Sequence, residues 1–200
     1  APVEKINYTV RPLKPGEEIE VSKCIYKGYG YTYPYDHVYY PEKLIELNKS
    51  HMLFSAVAAT EENEIAGHCA LRYENKDRRV AEIGLGVVKP EFRSQGCMNR
   101  MVDFLLEKAK AEKLVGVYFQ SVTVHTYSQK VAAHYKMSEC AALLAYVPAA
   151  VTFKGVEKAL PQRGCVIVSF YCFNPPGTWD IYPPTKHRAM IQSLYDKLDM

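Results

Sequence analysis

The six cysteines of this 200-residue chain form no recognisable set. Cys24, Cys69, Cys97, Cys140, Cys165 and Cys172 stand singly, with no CxxC pair and no cysteine-histidine spacing. That argues against a zinc site or a disulfide framework and for reduced thiols in a cytoplasmic protein. No apolar run approaches the ~20 residues that a membrane span needs, and no signal peptide opens the chain, so no membrane partner is expected. Lysines and arginines form no cluster interleaved with aromatics and the net charge is only +3. A nucleic-acid partner is therefore not expected, whereas a small phosphate-bearing ligand remains compatible. Repeats and low-complexity linkers are absent. The chain begins at Ala1 rather than methionine, which leaves a processed or excised product open.

What is present is a hydrophobic content of 48%, enough for one well-cored domain and too little chain for a second. Residues 1–175 are read as the domain, and residues 176–200 as an extension whose helix docks on it through Met190, Ile191, Leu194, Tyr195 and Leu198. Periodicity predicts a first strand over Ile6 to Leu13, a helix over Glu17 to Gly28, a short helix over Pro41 to Asn48, and a hairpin from Met52 to Thr60 and Glu64 to Glu74. Lys76 to Arg79 reads as a charged turn. Further strands are predicted over Val115 to Val124, Ala141 to Phe153 and Gly164 to Phe173, the last two joined by a loop around Pro161, with a loop and helix over His125 to Met137. Between Tyr26 and Tyr40 lie seven of the sixteen tyrosines. Such a loop either lines a cleft with aromatic faces or packs its rings over the core.

The organising stretch is Val80 to Lys113. A β-branched strand runs from Val80 to Val88, Pro90 stops it, and an amphipathic helix begins after Gly96. A strand, helix and strand in succession make a parallel βαβ unit with the strand over Val115 to Val124. The turn between, Arg93-Ser94-Gln95-Gly96-Cys97-Met98, sits where the first helical amides have no internal partner and the dipole is positive, so it suits an anion such as a pyrophosphate. Gly96 lets the backbone approach, and Arg93 and Ser94 add charge and a hydroxyl. By alternation, Ile83, Leu85 and Val87 share one face of the strand, and Glu82 shares the other with Gly84, Gly86 and Val88. On a face cleared by two glycines Glu82 has room for a ligand beside it, and it reads equally as a solvated strand-edge glutamate or an ion-pair partner of Arg72 or Arg79. Cys97, on the helix N-terminus, has no histidine beside it in sequence and reads as an ordinary thiol.

Val87-Val88-Lys89-Pro90-Glu91-Phe92-Arg93-Ser94-Gln95-Gly96, in this order of elements, resembles the GNAT superfamily of acyl-CoA-dependent N-acyltransferases over roughly Ile6 to Phe173. Met98 departs from that family's pattern, which has glycine or alanine there. The resemblance implies an α/β (α+β) fold: a mixed, mostly antiparallel sheet of about six to seven strands with helices on its faces and a splayed parallel pair. It also implies acetyl-CoA as cosubstrate, an amine-bearing acceptor, and direct transfer in a ternary complex, with no metal. Arg93 to Met98 would hold the pyrophosphate and the main chain at Val87 and Val88 the pantetheine arm. Glu82 would deprotonate the amine, and Tyr135 would assist the departing thiolate. Ser128 stands where the family commonly has asparagine, and Glu139-Cys140 where it has Gly-Phe, which leaves the register of this helix open. His125 reads as a hydrogen-bonded strand end rather than a proton relay. Two other classes stay open: an acyl-CoA-binding sensor without turnover, and a partner-binding protein using the tyrosine loop. A homodimer is compatible with either.

Overall fold

The computed structural model describes residues 7–75, 79–152, 162–174 and 181–198. Strand β1 (Tyr8–Pro12) leads to helix α1 (Glu18–Tyr29), a 3-10 turn (Asp36–Tyr39) and α2 (Pro41–Lys49). Strands β2 (Leu53–Thr60), β3 (Ile65–Arg72) and β4 (Val80–Val88) follow, then α3 (Cys97–Ala111), β5 (Gly116–Val122) and α4 (Tyr127–His134). Strands β6 (Ser138–Val147) and β7 (Gly164–Cys172) and helix α5 (Arg188–Lys197) complete the order. The strands form one sheet in the order β1-β2-β3-β4-β5-β7-β6. Strands β4 and β5 are parallel and their neighbours pair antiparallel, as the α3 crossover requires.

Each face of the sheet carries its own core. Met101, Val102, Leu105 and Ala109 bury one stripe of α3 against Ala81, Ile83, Val117 and Phe119, and Ala132 of α4 joins the same cluster. Met101, Val102 and Leu105 are fully buried, each contributing about 1.5–3 kcal/mol of transfer free energy. On the other face, Val21, Cys24 and Ile25 of α1 and Leu44 of α2 pack on Val57, Ala70, Leu85 and Val87. Helix α1 comes close enough to β4 that a Cβ on Gly28 would meet Val87 Cγ2 at 2.7 Å, so only glycine permits that approach.

Strand β4 does not alternate throughout. His68 pairs with Val87 but Ala70 with Gly84, so Leu85 and Gly86 together oppose Cys69. Leu85 takes the left-handed conformation, φ 52°, and this bulge reverses the faces beyond it. Ile83 lies on the α3 side, whereas Leu85 and Val87 lie on the α1 side. Glu82 and Gly84 share a face, since a Cβ on Gly84 would stand 3.0 Å from the Glu82 carboxyl. Gly86 instead faces Met98 of α3, with 3.1 Å between its Cβ position and Met98 Cε. The simple alternation therefore holds only up to Gly84.

The tail helix forms, with Ile191, Leu194, Tyr195 and Leu198 partly buried and its Lys197 carbonyl accepting from Ser138 Oγ of β6 at 3.2 Å. No residue of α5 is buried and Met190 is 57% exposed. Spacing specifies an apolar stripe without specifying what covers it. The predicted strand from Ala141 begins instead at Ser138 and ends at Val147, with a left-handed Ala145 (φ 53°) at a register shift. Phe153, the centre of the charged turn at 76–78 and Pro161 lie outside the described residues.

Candidate active site

At the end of β4 a 3-10 turn (Pro90–Phe92) redirects the chain, and two left-handed residues, Ser94 (φ 62°) and Gly96 (φ 79°), wind it into α3. Gly96 is the N-cap and no side chain caps the helix. The first helical bond back runs from the Arg100 amide to the Gly96 carbonyl, 3.1 Å. The amides of residues 97–99 thus precede the hydrogen-bonded ladder, at the positive end of a 15-residue helix. The space above Gly96 is open apart from the Tyr8 hydroxyl, 3.7 Å from its Cβ position. Tyr8 donates to the Gln95 carbonyl at 3.0 Å and its ring lies under the Arg100 guanidinium at 4.7 Å, bracing the turn from β1. No signal in the sequence joins Tyr8 to a loop 87 residues away. Arg93 donates through Nε to the Val88 carbonyl at 3.3 Å.

Cys97 is buried, and burial raises its thiol pKa despite the helix end and the Tyr8 hydroxyl. It is not an activated thiolate. Met98 lays its thioether against Gly86 across the gap between α3 and β4. A larger residue at one position is matched by the absence of a side chain at the other. Ser128, on the first turn of α4, has a buried hydroxyl without a hydrogen-bond partner among the described residues, as has Ser121 of β5.

The parallel pair splays. Val80, Ala81 and Glu82 oppose Gly116, Val117 and Tyr118, and pairing stops there. Strand β5 stays with β7 from Gly116 to Val122, while β4 stays with β3 to Val88. Beyond Glu82 the sheet consequently opens into a seam edged by the main chain of Ile83–Val88. Val87 and Val88 lie on that edge, and the turn at Arg93–Met98 stands at its mouth.

Glu82 occupies the vertex of the seam. It is 6% exposed, and Arg72 donates to its Oε2 from Nε at 2.7 Å and from Nη2 at 2.5 Å. Of the readings taken from the sequence, the ion pair with Arg72 is present and the solvated strand edge is not, since the carboxylate is paired and desolvated. Burial raises its pKa, Arg72 pulls it back down, and burial prevails. The Arg72 guanidinium lies 5.0 Å over the Tyr35 ring and 3.8 Å from Glu74, which accepts a 2.7 Å bond from the Tyr118 hydroxyl. Arg72 itself is held more firmly charged by Glu82 than burial would allow alone.

The tyrosine loop divides between its two readings. Tyr29, Tyr33, Tyr35 and Tyr39 pack on the α1-side core, whereas Tyr31 is 79% exposed. Tyr33 and Tyr35 also reach the field of Glu82, and burial pushes the Tyr35 phenol up to about 12. Tyr146 of β6 adds to the upward push on the Tyr35 phenol, and Thr32 Oγ1 accepts from the Thr152 amide at 2.9 Å. The loop thus walls the Glu82 side of the sheet and is tied to the chain beyond β6.

Tyr135, just past α4, turns its hydroxyl to α3. It lies 2.8 Å from the Asn99 carbonyl and 2.7 Å from Asp103 Oδ1, and burial with the Asp103 bond raises its pKa. Its one proton is held between these acceptors. His125 accepts a 3.3 Å bond from the Tyr127 amide, a local turn contact. Among the described residues no His, Cys, Asp or Glu cluster could hold a metal, and no helix is long and apolar enough to cross a membrane.

Three comparisons bear on this geometry. Residues 21–137 match the acetyltransferase (GNAT) family. No curated protein matches the chain. Among solved structures, the ribosomal-protein-S18-alanine N-acetyltransferase of Escherichia coli superposes with a TM-score of 0.66 at 11% identity, covering 88% of this chain and 100% of that one. The ribosomal-protein-S5-alanine acetyltransferase of Vibrio fischeri gives 0.63 at 17% identity, over 82% and 92%. A mutant spermidine/spermine N-acetyltransferase of Vibrio cholerae gives 0.61 at 16%, over 83% and 95%. At such identities the likeness is one of fold.

Proposed function

The chain belongs to the GNAT acetyltransferase family, and from that premise we propose that it transfers an acetyl group from acetyl-CoA to a primary amine by direct attack in a ternary complex. The observation that carries the reading is the seam: a parallel pair that parts after Glu82, with a glycine turn and an uncapped helix at its mouth. The residues present suit the cosubstrate. The Arg93–Met98 amides with Gly96 would hold the pyrophosphate, the Val87 and Val88 main chain the pantetheine arm, and the Ser128 hydroxyl has bonding capacity to spare.

Acetyl-CoA supplies an activated thioester. The chain supplies position and proton transfer. Glu82 takes a proton from the incoming ammonium, directly or through water. The neutral amine nitrogen then bonds to the acyl carbon as the carbon-sulfur bond breaks, the nitrogen sheds its second proton to solvent to leave the amide, and the departing thiolate takes up a proton. Tyr135 is assigned that last proton on the resemblance, and serving so requires its hydroxyl to leave Asp103 and Asn99. That same pair of hydrogen bonds favours a second reading, an acyl-CoA-binding module with little or no turnover.

Titration calorimetry with acetyl-CoA and CoA, beside thiol release over a panel of amines, separates the readings. Binding with thiol release supports transfer, and binding alone supports the sensor. The proposal fails if neither nucleotide binds near about 1 mM, a free energy of roughly 4 kcal/mol. In Gly96→Val a β-branched residue must hold φ 79° and crowd the helix end. The affinity for CoA is expected to fall at least about tenfold, or about 1.4 kcal/mol, with the variant still cooperatively folded.

A further inference from the structure

Besides Glu82, β3 and β4 bury a polar group that the transfer chemistry does not use. His68, in the middle of β3, is wholly inaccessible, yet both ring nitrogens are bonded, Nδ1 to the Leu85 carbonyl and Nε2 to the Ser55 hydroxyl, each at 3.0 Å. A carbonyl only accepts, so Nδ1 carries the hydrogen and Nε2 must receive one from Ser55. Ser55 Oγ in turn accepts from Asn48 Nδ2 at 3.2 Å, and the Ser55 amide donates to Asn48 Oδ1 at 3.0 Å. Asn48 Nδ2 also donates to the Leu44 carbonyl at 2.9 Å. A directed chain of hydrogen bonds thus runs from α2 through β2 and β3 and ends on one atom of β4. Burial lowers the His68 pKa to about 4, so the ring is neutral at physiological pH.

That atom belongs to the residue with φ 52°, at the bulge where two residues of β4 oppose one of β3. A left-handed leucine costs about 1–2 kcal/mol and persists only where its surroundings hold it. We propose that His68 is a positioning residue for the acyl-transfer site, holding the Leu85 carbonyl toward β3 and thereby fixing the main chain that edges the seam. The peptide between Leu85 and Gly86 is trans and planar, so a carbonyl turned toward His68 sends the Gly86 N–H the opposite way, away from β3. On that side β4 has lost β5. The inference rests on the acetyl-transfer reading for its consequence, since a fixed amide donor there stabilises charge developing on an acyl oxygen.

Two variants of the full chain divide the role. His68→Asn keeps an amide donor near the place of Nδ1 and gives up Ser55. His68→Gln reaches toward Ser55 and gives up Leu85. Both are polar and smaller than histidine, so a merely structural role would affect them alike. With an amine that the wild type acetylates, His68→Gln is expected to lose at least about tenfold in kcat, while acetyl-CoA affinity, set at the turn, stays within about threefold. His68→Asn is expected to stay within about threefold of wild type in both. The Gly86 amide resonance, assigned by NMR, should move in His68→Gln and return toward its wild-type position in His68→Asn. Equal losses in the two variants, or an unmoved Gly86 resonance, overturn the proposal. If the wild type acetylates no amine but Gly86 responds as described, the transfer reading falls while the hold of His68 on the bulge stands. If a variant fails to fold, Ser55→Ala takes its place: it cuts the chain before His68 and should leave kcat within about threefold, with a larger loss counting against the Leu85 bond as the decisive one.

Discussion

Replacing Glu82 with glutamine is expected to lower kcat/KM for acetyl transfer by about 10²–10⁴-fold, the usual range for a lost general base. An amine acceptor is protonated near neutral pH and its ammonium has no lone pair with which to attack. A base beside the seam removes that barrier only if its carboxylate is charged yet poorly solvated. Glu82 is 6% exposed and its pKa is raised, with burial outweighing Arg72. For the wild type, kcat/KM should rise as pH passes through that raised pKa, above the ordinary value of about 4.3. In Glu82→Gln this limb should vanish while acetyl-CoA affinity is retained. Steady-state kinetics from pH 4 to 9 would show both, and a variant with the wild-type profile would remove Glu82 from the chemistry.

Arg72→Met is expected to cost about 2–3 kcal/mol of stability at neutral pH, somewhat below the roughly 3–5 kcal/mol of a fully buried pair because Arg72 retains some exposure. The guanidinium is bound through two nitrogens to Glu82 Oε2. Without it, nothing of comparable strength opposes burial, and the Glu82 pKa climbs further. A carboxylate raised on folding adds its stability below the unfolded pKa and loses it as pH rises through the folded one. The deficit of Arg72→Met should accordingly be small below about pH 4.3 and grow toward neutrality. Urea unfolding at several pH values would read it. A deficit independent of pH would mean that Arg72 contributes packing on Tyr35 and no charge compensation.

The strand, turn and helix from Val80 to Ala111 were legible because each has a local cause: β-branched alternation, a proline stop, a glycine with positive φ, and an apolar stripe at helical spacing. The one parallel pair follows from the strand-helix-strand succession, whereas the sheet of six to seven strands is implied by the resemblance and the insertion of β7 between β5 and β6 is seen only in the structure. The bulge was not legible, since a leucine in the left-handed region carries no mark in sequence and its support comes from His68 on another strand. Once Leu85 turns, every later residue of β4 changes face, and the alternation argument fails for a reason that only pairing reveals. Met98 breaks the family's pattern on paper, yet Gly86 makes room for its side chain in the fold. Arg72 could be named as a partner of Glu82 from the sequence. Tyr118 and Tyr146 could not, because they arrive by register and by the β6 bend. Tyr135 was placed by resemblance, and its contact with Asp103 depends on where a short helix ends.

The seam has a further consequence for how the sheet behaves as a solid. Strands β1 to β4 form one antiparallel raft, and β5, β7 and β6 another, joined along the described backbone by three strand pairs, from Val80–Gly116 to Glu82–Tyr118, and by the bond from the Val115 amide to the Arg79 carbonyl at 2.7 Å just before them. Two rafts on so short a hinge can breathe as separate cooperative units, with α3 lying across the joint. A ligand arm lying between them would act as an eighth strand and couple the two. Hydrogen exchange should then slow on both banks together, Ile83–Val88 and Phe119–Val122, when acetyl-CoA is added, including amides that the ligand never touches.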